Sequence, residues 1–338
     1  MAAESAAPRS DAVLHKRSFV RDLLVRLFRD RPLGAWSGVV VFALCVVALF
    51  ADVLAPFPFS EIHLIDRLSG STTTYLLGTD QLGRDILSRL IHGARLSLGV
   101  GIAATSVSLV VSLLIGGVGG FVGGKLDIII QRFVDAWLSF PGLLLLLTVL
   151  STFGRGVLQI ILILGISAGI GNARVVRSAV ISIKANPYFE AARSIGSRQS
   201  RTLLRHVWPN ITAPIIVIFS ITVGGVIISE ASLSFLGFGL PEEVPSWGAM
   251  LSKEGRKYME VSPRLAMLPG LALTIVVYCL NMLGDALRDL LDPRLRGAGG
   301  ASSGAGSYGR LAVRDATRAL QRAEQRQQRQ RPGPRTPK

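Results

Sequence analysis

At 338 residues, 49% of them hydrophobic, and with a mean hydropathy of +0.46, the chain is too apolar for an ordinary water-soluble domain. A formal charge of +15 would suit nucleic acid, but the basic residues gather in the tails and in alternate loops, as they do when charge sets membrane orientation, so no nucleic-acid partner is expected. Cys45 and Cys279 each sit inside an apolar run and the four histidines are scattered, which gives neither a disulfide framework nor a ligand-like spacing.

Residues 1–35 form a basic segment carrying Arg9, Lys16, Arg17, Arg21, Arg26, Arg29 and Arg31. Trp36 to Leu54 is apolar apart from Asp52 and is long enough to cross a hydrocarbon core of about 30 Å. Charge before that span predicts a cytoplasmic N-terminus. Residues 36–93 therefore read as a first span plus an external segment, in which Thr79 or Asp80 is expected to cap a short helix leading to the second span. Leu96 to Val122 is that second span, and Gly116 and Gly120 give it a small-residue face for close packing. Gly119-x4-Gly124-Lys125 is no phosphate loop, because Leu126 replaces the required hydroxyl and the glycines end an apolar helix. Lys125 and Arg132 mark a short cytoplasmic turn. Phe133 to Phe153 is the third span, kinked at Pro141. The fourth opens at Val157, continues past Asn172 and carries Gly165 and Gly169 as a second close-packing face.

A polar interruption, the loop 184–210, follows. Asn186 and Pro187 start a helix, Gly196 ends it, and Ser197 caps a second helix that Pro209 stops. Arg174, Arg177, Lys184, Arg193, Arg198, Arg201 and Arg205 stand here against the one acid Glu190, a strong inside signal. Ile211 to Phe235 returns outward, and Glu230 near its end needs a partner or water. Met250 to Tyr258 is expected to form a surface helix, and Leu265 to Leu287 the sixth span, with Asn281 and Asp285 near its end. Residues 293–338 are Gly/Ser-rich and then Arg/Gln-rich, with Arg314, Arg318, Arg322 and Arg326 four apart, and read as a solvated basic cytoplasmic tail. The fold class is all-α: a polytopic membrane protein of six transmembrane helices with both termini inside.

Three stretches resemble one family. Glu190-Ala191-Ala192, Gly196 and Pro209 resemble the cytoplasmic EAA loop of bacterial ABC-importer permeases, departing from it at His206 and Trp208. Gly78-Thr79-Asp80-Gln81-Leu82-Gly83-Arg84-Asp85 resembles the GTDxxGRD motif of the dipeptide, oligopeptide and nickel branch. Glu230-Ala231-Ser232-Leu233-Ser234-Phe235-Leu236-Gly237 is similar to a further family stretch. The resemblance implies a type I ABC importer transmembrane domain, its permease region over residues 94–292, in the bacterial inner membrane. It implies that Glu190, Ala191, Ala192, Arg193, Gly196, Arg205 and Pro209 couple to an ATPase. It also implies as partners a homologous second permease, two ABC ATPase subunits and an extracytoplasmic substrate-binding protein. No cofactor is expected in this chain, ATP and magnesium belonging to the ATPase subunits, and no enzymatic activity. Di- and oligopeptides are the expected substrates, with nickel or a small solute such as glutathione as the alternative. A secondary transporter would need ionisable groups near mid-membrane, whereas Glu230 and Asp285 lie near span ends; a non-transporting scaffold would need no pore.

Overall fold

The structure, a computed structural model, describes residues 19–154, 156–185, 208, 211–239 and 244–291. Among them the only extended pairing is an isolated bridge between Thr79 and Asp85. The helices are α1 (Phe19–Asp30), α2 (Pro32–Leu49), α3 (Ala51–Leu54), α4 (Ile86–Ser112), α5 (Val118–Val122), α6 (Gly124–Ser139), α7 (Gly142–Phe153), α8 (Val157–Lys184), α9 (Thr212–Phe235), α10 (Trp247–Leu251), α11 (Lys253–Lys257) and α12 (Arg264–Leu291). A π turn, Leu113–Gly117, joins α4 to α5. The chain divides after Arg288 into a bundle and a remainder of which the last turn of α12 is described.

Five helical stretches are long and apolar enough to cross a membrane: Pro32–Leu49, Ile86–Val122, Val157–Lys184, Thr212–Phe235 and Arg264–Leu291. A sixth exists if α6 and α7 count as one span, although they meet at 89°. That junction corrects the expected kinked span from Phe133 to Phe153. Proline has no amide hydrogen and drives the residue before it out of the helical region. Phe140 accordingly has φ −83° and ψ 139°, and the helix stops at Ser139.

Other boundaries also move. The first span starts at Pro32, four residues before Trp36, and bends at Phe50. The second begins at Ile86 instead of Leu96, and its 37 residues make ~55 Å of helix against a core of ~30 Å, longer than a crossing needs. Lys125 and Arg132 lie within α6, and the turn before it is made by Gly123 and Gly124, both at positive φ. Arg95 closes the end of α2 by donating to the carbonyls of Ala48 and Leu49, each at 3.1 Å, and pairs with Asp52 at 2.9 Å. Its guanidinium holds the Asp52 carboxyl below the usual carboxylate range.

The bundle is organised around α4 and α9, which share both main apolar clusters. Val100, Ala104, Leu146, Leu150, Ile160, Leu164, Val226 and Leu233 join α4, α7, α8 and α9. Ala48, Ala94, Leu98, Val223, Ile227, Trp247, Val276 and Leu280 join α2, α4, α9, α10 and α12. The closest helix crossing is α4–α5 against α8, and glycine makes it possible. A methyl at Gly165 would lie 2.6 Å from Val107 Cβ, one at Gly169 2.6 Å from Val111 Cβ, and one at Gly120 2.9 Å from the Arg177 carbonyl oxygen. Gly116 packs closer still, on the Ala173 carbonyl. Both glycine pairs read from the sequence thus face each other's helices. Without a hydrophobic drive between helices in lipid, such backbone approach is a principal source of packing energy.

Candidate functional site: two ends of a transport bundle

At one end of the bundle, residues 78–85 fold into a tight clasp. Asp80 is 1% exposed, and Arg84 and Arg89 are 7% and 2% exposed. The Asp80 carboxylate accepts from the amides of Leu82 at 2.8 Å and Arg84 at 2.9 Å, and from Arg84 Nε at 2.6 Å. Arg89 Nε stands 3.6 Å from the same carboxylate. Burying these charges is tolerable only because they neutralise and hydrogen-bond one another. Thr79 Oγ1 donates to the Asp66 carbonyl and accepts from the Ser69 amide at 2.9 Å, while the Leu68 amide donates to the Asp80 carbonyl at 3.0 Å. Gly83, at φ +77°, leaves room for the His63 carbonyl, and a methyl at Gly78 would meet Arg264 Nη1 at 2.8 Å. The eight residues therefore bind the preceding loop to the starts of α4 and α12.

The expected cap is corrected here. Asp85, and neither Thr79 nor Asp80, caps α4: its carboxylate accepts from the Ser88 amide at 2.8 Å and the Ser88 hydroxyl at 2.7 Å. Asp80 is already occupied by Arg84, and Thr79 by the loop.

Glu230 lies near this same end and is fully buried. Its Oε1 accepts from the hydroxyls of Ser234 at 2.8 Å and Ser246 at 3.1 Å. Ser246 in turn caps α10, accepting from the Ala249 amide at 3.1 Å. Trp247 donates from its amide to Ser97 Oγ at 3.2 Å and from its indole to the Leu90 carbonyl at 3.0 Å. The stretch expected as a surface helix from Met250 to Tyr258 is thus two short helices, α10 and α11, and Trp247 and Met250 are buried between α4, α9 and α12. Trp247 could have been noticed as an isolated aromatic in a polar loop.

At the opposite end, Arg174, Arg177 and Lys184 belong to α8 itself. Arg177 grips Asp127 through two bonds of 2.6 Å, Arg174 pairs with Asp135, and Lys184 donates to the Phe121 carbonyl at 2.7 Å. These three cations are spent on α5 and α6, which the count of loop charges had missed. Glu190, Ala191, Ala192, Arg193, Gly196, Arg205 and Pro209 lie outside the described residues.

Asn172, deep in α8, donates to Thr222 Oγ1 at 3.0 Å and to Ser108 Oγ at 3.4 Å, tying α4, α8 and α9. A polar amide inside an apolar run was the available signal. Asn281 lines a cavity of about 760 Å³ between α9 and α12, with Phe235, Leu251, Leu273 and Tyr278 among its other walls. Asp285 is exposed. The sequence had grouped Glu230, Asn281 and Asp285, but they face three different environments.

Residues 108–297 match the family model described as "binding-protein-dependent transport system inner membrane component". The chain belongs to this family. It is a multi-pass inner membrane protein and a permease subunit of an ABC importer. The glutathione transport system permease protein GsiD of Pectobacterium atrosepticum is 37% identical over 297 residues, covering 85% of this chain and 98% of that protein. GsiD of Escherichia coli is 38% identical over 273 residues, covering 80% and 90%. Among solved structures, the MetNI methionine ABC transporter matches with a TM-score of 0.52 and 19% identity over 61% of this chain and 98% of that one. That likeness concerns the fold, the helical architecture of type I importer permeases. Family membership implies ATPase and binding-protein partners in general terms, and these relatives are transport subunits, not enzymes.

Proposed function

We propose that the chain forms half of a translocation pathway for a small solute such as glutathione, the alternative in the sequence reading, with di- and oligopeptides as the second reading. The observation that carries this reading is the 37–38% identity, across 80–85% of the chain, to permeases named for glutathione transport. The Gly78–Asp85 motif, typical of the peptide and nickel branch, supports it. A homologous second permease completes the pathway, two ATPase subunits hold ATP and magnesium, and an extracytoplasmic binding protein delivers the substrate. Both termini and the loop 184–210 face the cytoplasm, and Glu190, Ala191, Ala192 and Gly196 dock on the ATPase. Arg193, Arg205 and Pro209 complete that contact. The coupled element is the packing between the two permeases, which nucleotide biases from one side and substrate from the other.

Uptake of labelled glutathione, dipeptides and longer peptides by cells with and without the chain tests the substrate. Glutathione uptake that depends on the chain is expected; dependence confined to di- and oligopeptides would favour the second reading, and dependence confined to nickel would reject both. Gly196→Asp tests the coupling. The aspartate adds charge and bulk where the sequence ends one helix and starts the next, so uptake and substrate-stimulated ATP hydrolysis are expected to vanish while the protein still inserts and assembles. Normal uptake by an assembled Gly196→Asp complex would remove the docking role.

A further inference from the structure

We infer that the break between α6 and α7 lines the water-filled pathway well inside the membrane and offers its free backbone groups to the solute in passage. The depth follows from what α6 packs on. Asp127 is bonded to Arg177, and Val134 lies against Ile170 and Ala173. α6 therefore climbs α8 in antiparallel register, the step from Asp127 to Val134 matching that from Arg177 to Ile170. Phe140 lies further along the same line, ~20 Å from the Asp127–Arg177 pair and ~10 Å short of Val157, where α8 starts. Both distances put it within a hydrocarbon core of ~30 Å.

Backbone outside a helix is not tolerated against lipid; at such depth it is buried in protein or faces water. Here the chain's own helices leave it open. Ser139, Pro141 and Gly142 are exposed, Phe140 is 62% exposed, and nothing lies within 4 Å of a methyl built on Gly142. The Phe140 amide reaches only the Trp137 carbonyl, at 3.4 Å, and α7 opens with a bond of 3.1 Å from the Leu145 amide to the Pro141 carbonyl. The amides of Gly142, Leu143 and Leu144 and the carbonyls of Leu138, Ser139 and Phe140 thus meet no partner among the described residues. A dry subunit surface would have to match each of these groups, whereas water satisfies them without a template. The open side of α7 continues in the same character: Thr148, Ser151 and Thr152 share the arc of Leu144, opposite the buried Leu146 and Leu150. Water is therefore the occupant, and the pathway shared with the second permease is where it stands; in this respect the inference rests on the half-pore reading above. An uncharged rim of amides and carbonyls suits a solute built of peptide bonds, which exchanges one hydrogen bond for the next and is held by none.

The test uses the assembled importer in lipid nanodiscs, with Cys45→Ala and Cys279→Ala in the chain and one cysteine introduced by Ser139→Cys, Gly142→Cys or Phe42→Cys. Phe42, 71% exposed on the first span, is the lipid-facing reference. Labelling by a sulfonated maleimide is read by mass on this chain, without nucleotide and with ATP and vanadate, since the pathway opens to alternate sides. In at least one state Ser139→Cys and Gly142→Cys are expected to react at least about tenfold faster than Phe42→Cys, because the thiolate is the reactive form and apolar surroundings suppress it. Rates equal to that of Phe42→Cys in both states would overturn the inference, the break then facing lipid. Thiols reached by neither the sulfonated reagent nor N-ethylmaleimide would overturn it too, since the second permease then covers the break. In liposomes, the labelled Ser139→Cys importer is expected to lose glutathione uptake that the unlabelled one shows. Uptake unchanged by a complete label would remove the break from the path of the solute. Uptake by the cysteine-free importer separates the two readings. Uptake of glutathione or peptides with shielded thiols sinks the wetted break alone, while fast labelling without such uptake sinks the substrate reading alone.

Discussion

Asp80→Ala is expected to cost about 3–5 kcal/mol of stability, the usual penalty for removing one partner of a buried ion pair. The loss is large because Asp80 serves two backbone amides and the Arg84 side chain directly, with Arg89 3.6 Å away, and all three charged groups are nearly sealed from water. Removing the carboxylate takes a 2.6 Å partner from Arg84 and a nearby opposite charge from Arg89, and unpins the loop that Thr79 and Gly83 hold. Thermal unfolding of the purified complex, followed by fluorescence-detected size exclusion, measures it. Asp80→Asn should fall between the two, because its amide oxygen still accepts from the Leu82 and Arg84 amides but carries no charge. A midpoint for Asp80→Ala within error of the parent would show that the cluster contributes no net stability.

Gly165→Leu is expected to be at least as damaging, with most of the chain failing to assemble. Overpacking a tight core costs about 1–3 kcal/mol, and more where backbone must shift. Here a Cβ alone would lie 2.6 Å from Val107 Cβ and 2.7 Å from the Ala104 carbonyl oxygen, so α4 and α8 must separate. Gly171, in the same helix, has nothing within 4 Å of the equivalent position. Gly171→Ala should therefore be neutral or slightly stabilising, since alanine loses less backbone freedom on folding. Membrane abundance and the monodisperse fraction after extraction compare the two. Equal yields would mean that the α4–α8 crossing tolerates separation.

The spans were legible because their signal is long: an apolar run of crossing length has few other readings, and glycines four apart within it mark where helices touch. Gly116, Gly120, Gly165 and Gly169 show this directly. Short-range choices were harder, since they depend on which neighbour claims a side chain first. Asp80, Thr79 and Asp85 are all good caps by type, and only the arrival of Arg84 and of the Asp66 loop leaves the task to Asp85. Pro141 announced a disturbance but not its size, because the angle depends on what each half packs against. Met250 was placed on the surface because its segment is flanked by charge; its burial, like that of Trp247, comes from α4, α9 and α12, which are distant in sequence. The segment of α1 was read only as orientation charge, and its helix went unremarked. The Glu190–Pro209 loop, Trp208 apart, lies outside the described residues, and its role is argued from sequence.

The π turn at Leu113–Gly117 has a consequence for phase. Along α8, Gly165, Gly169, Ala173 and Arg177 advance by four. Their neighbours are Ala104 with Val107, Ser108 with Val111, then Gly116, then Gly120. A further even step would have landed on Ser112 and Ile115, but the wide turn holds an additional residue and carries the contact on to Gly116. Winding the same residues as an unbroken α-helix would swing everything after the turn by roughly 100° and bring Ile115 to α8 in place of Gly116. The bulge works like a leap day, inserted once so that two rods winding at slightly different rates stay in step along their whole length.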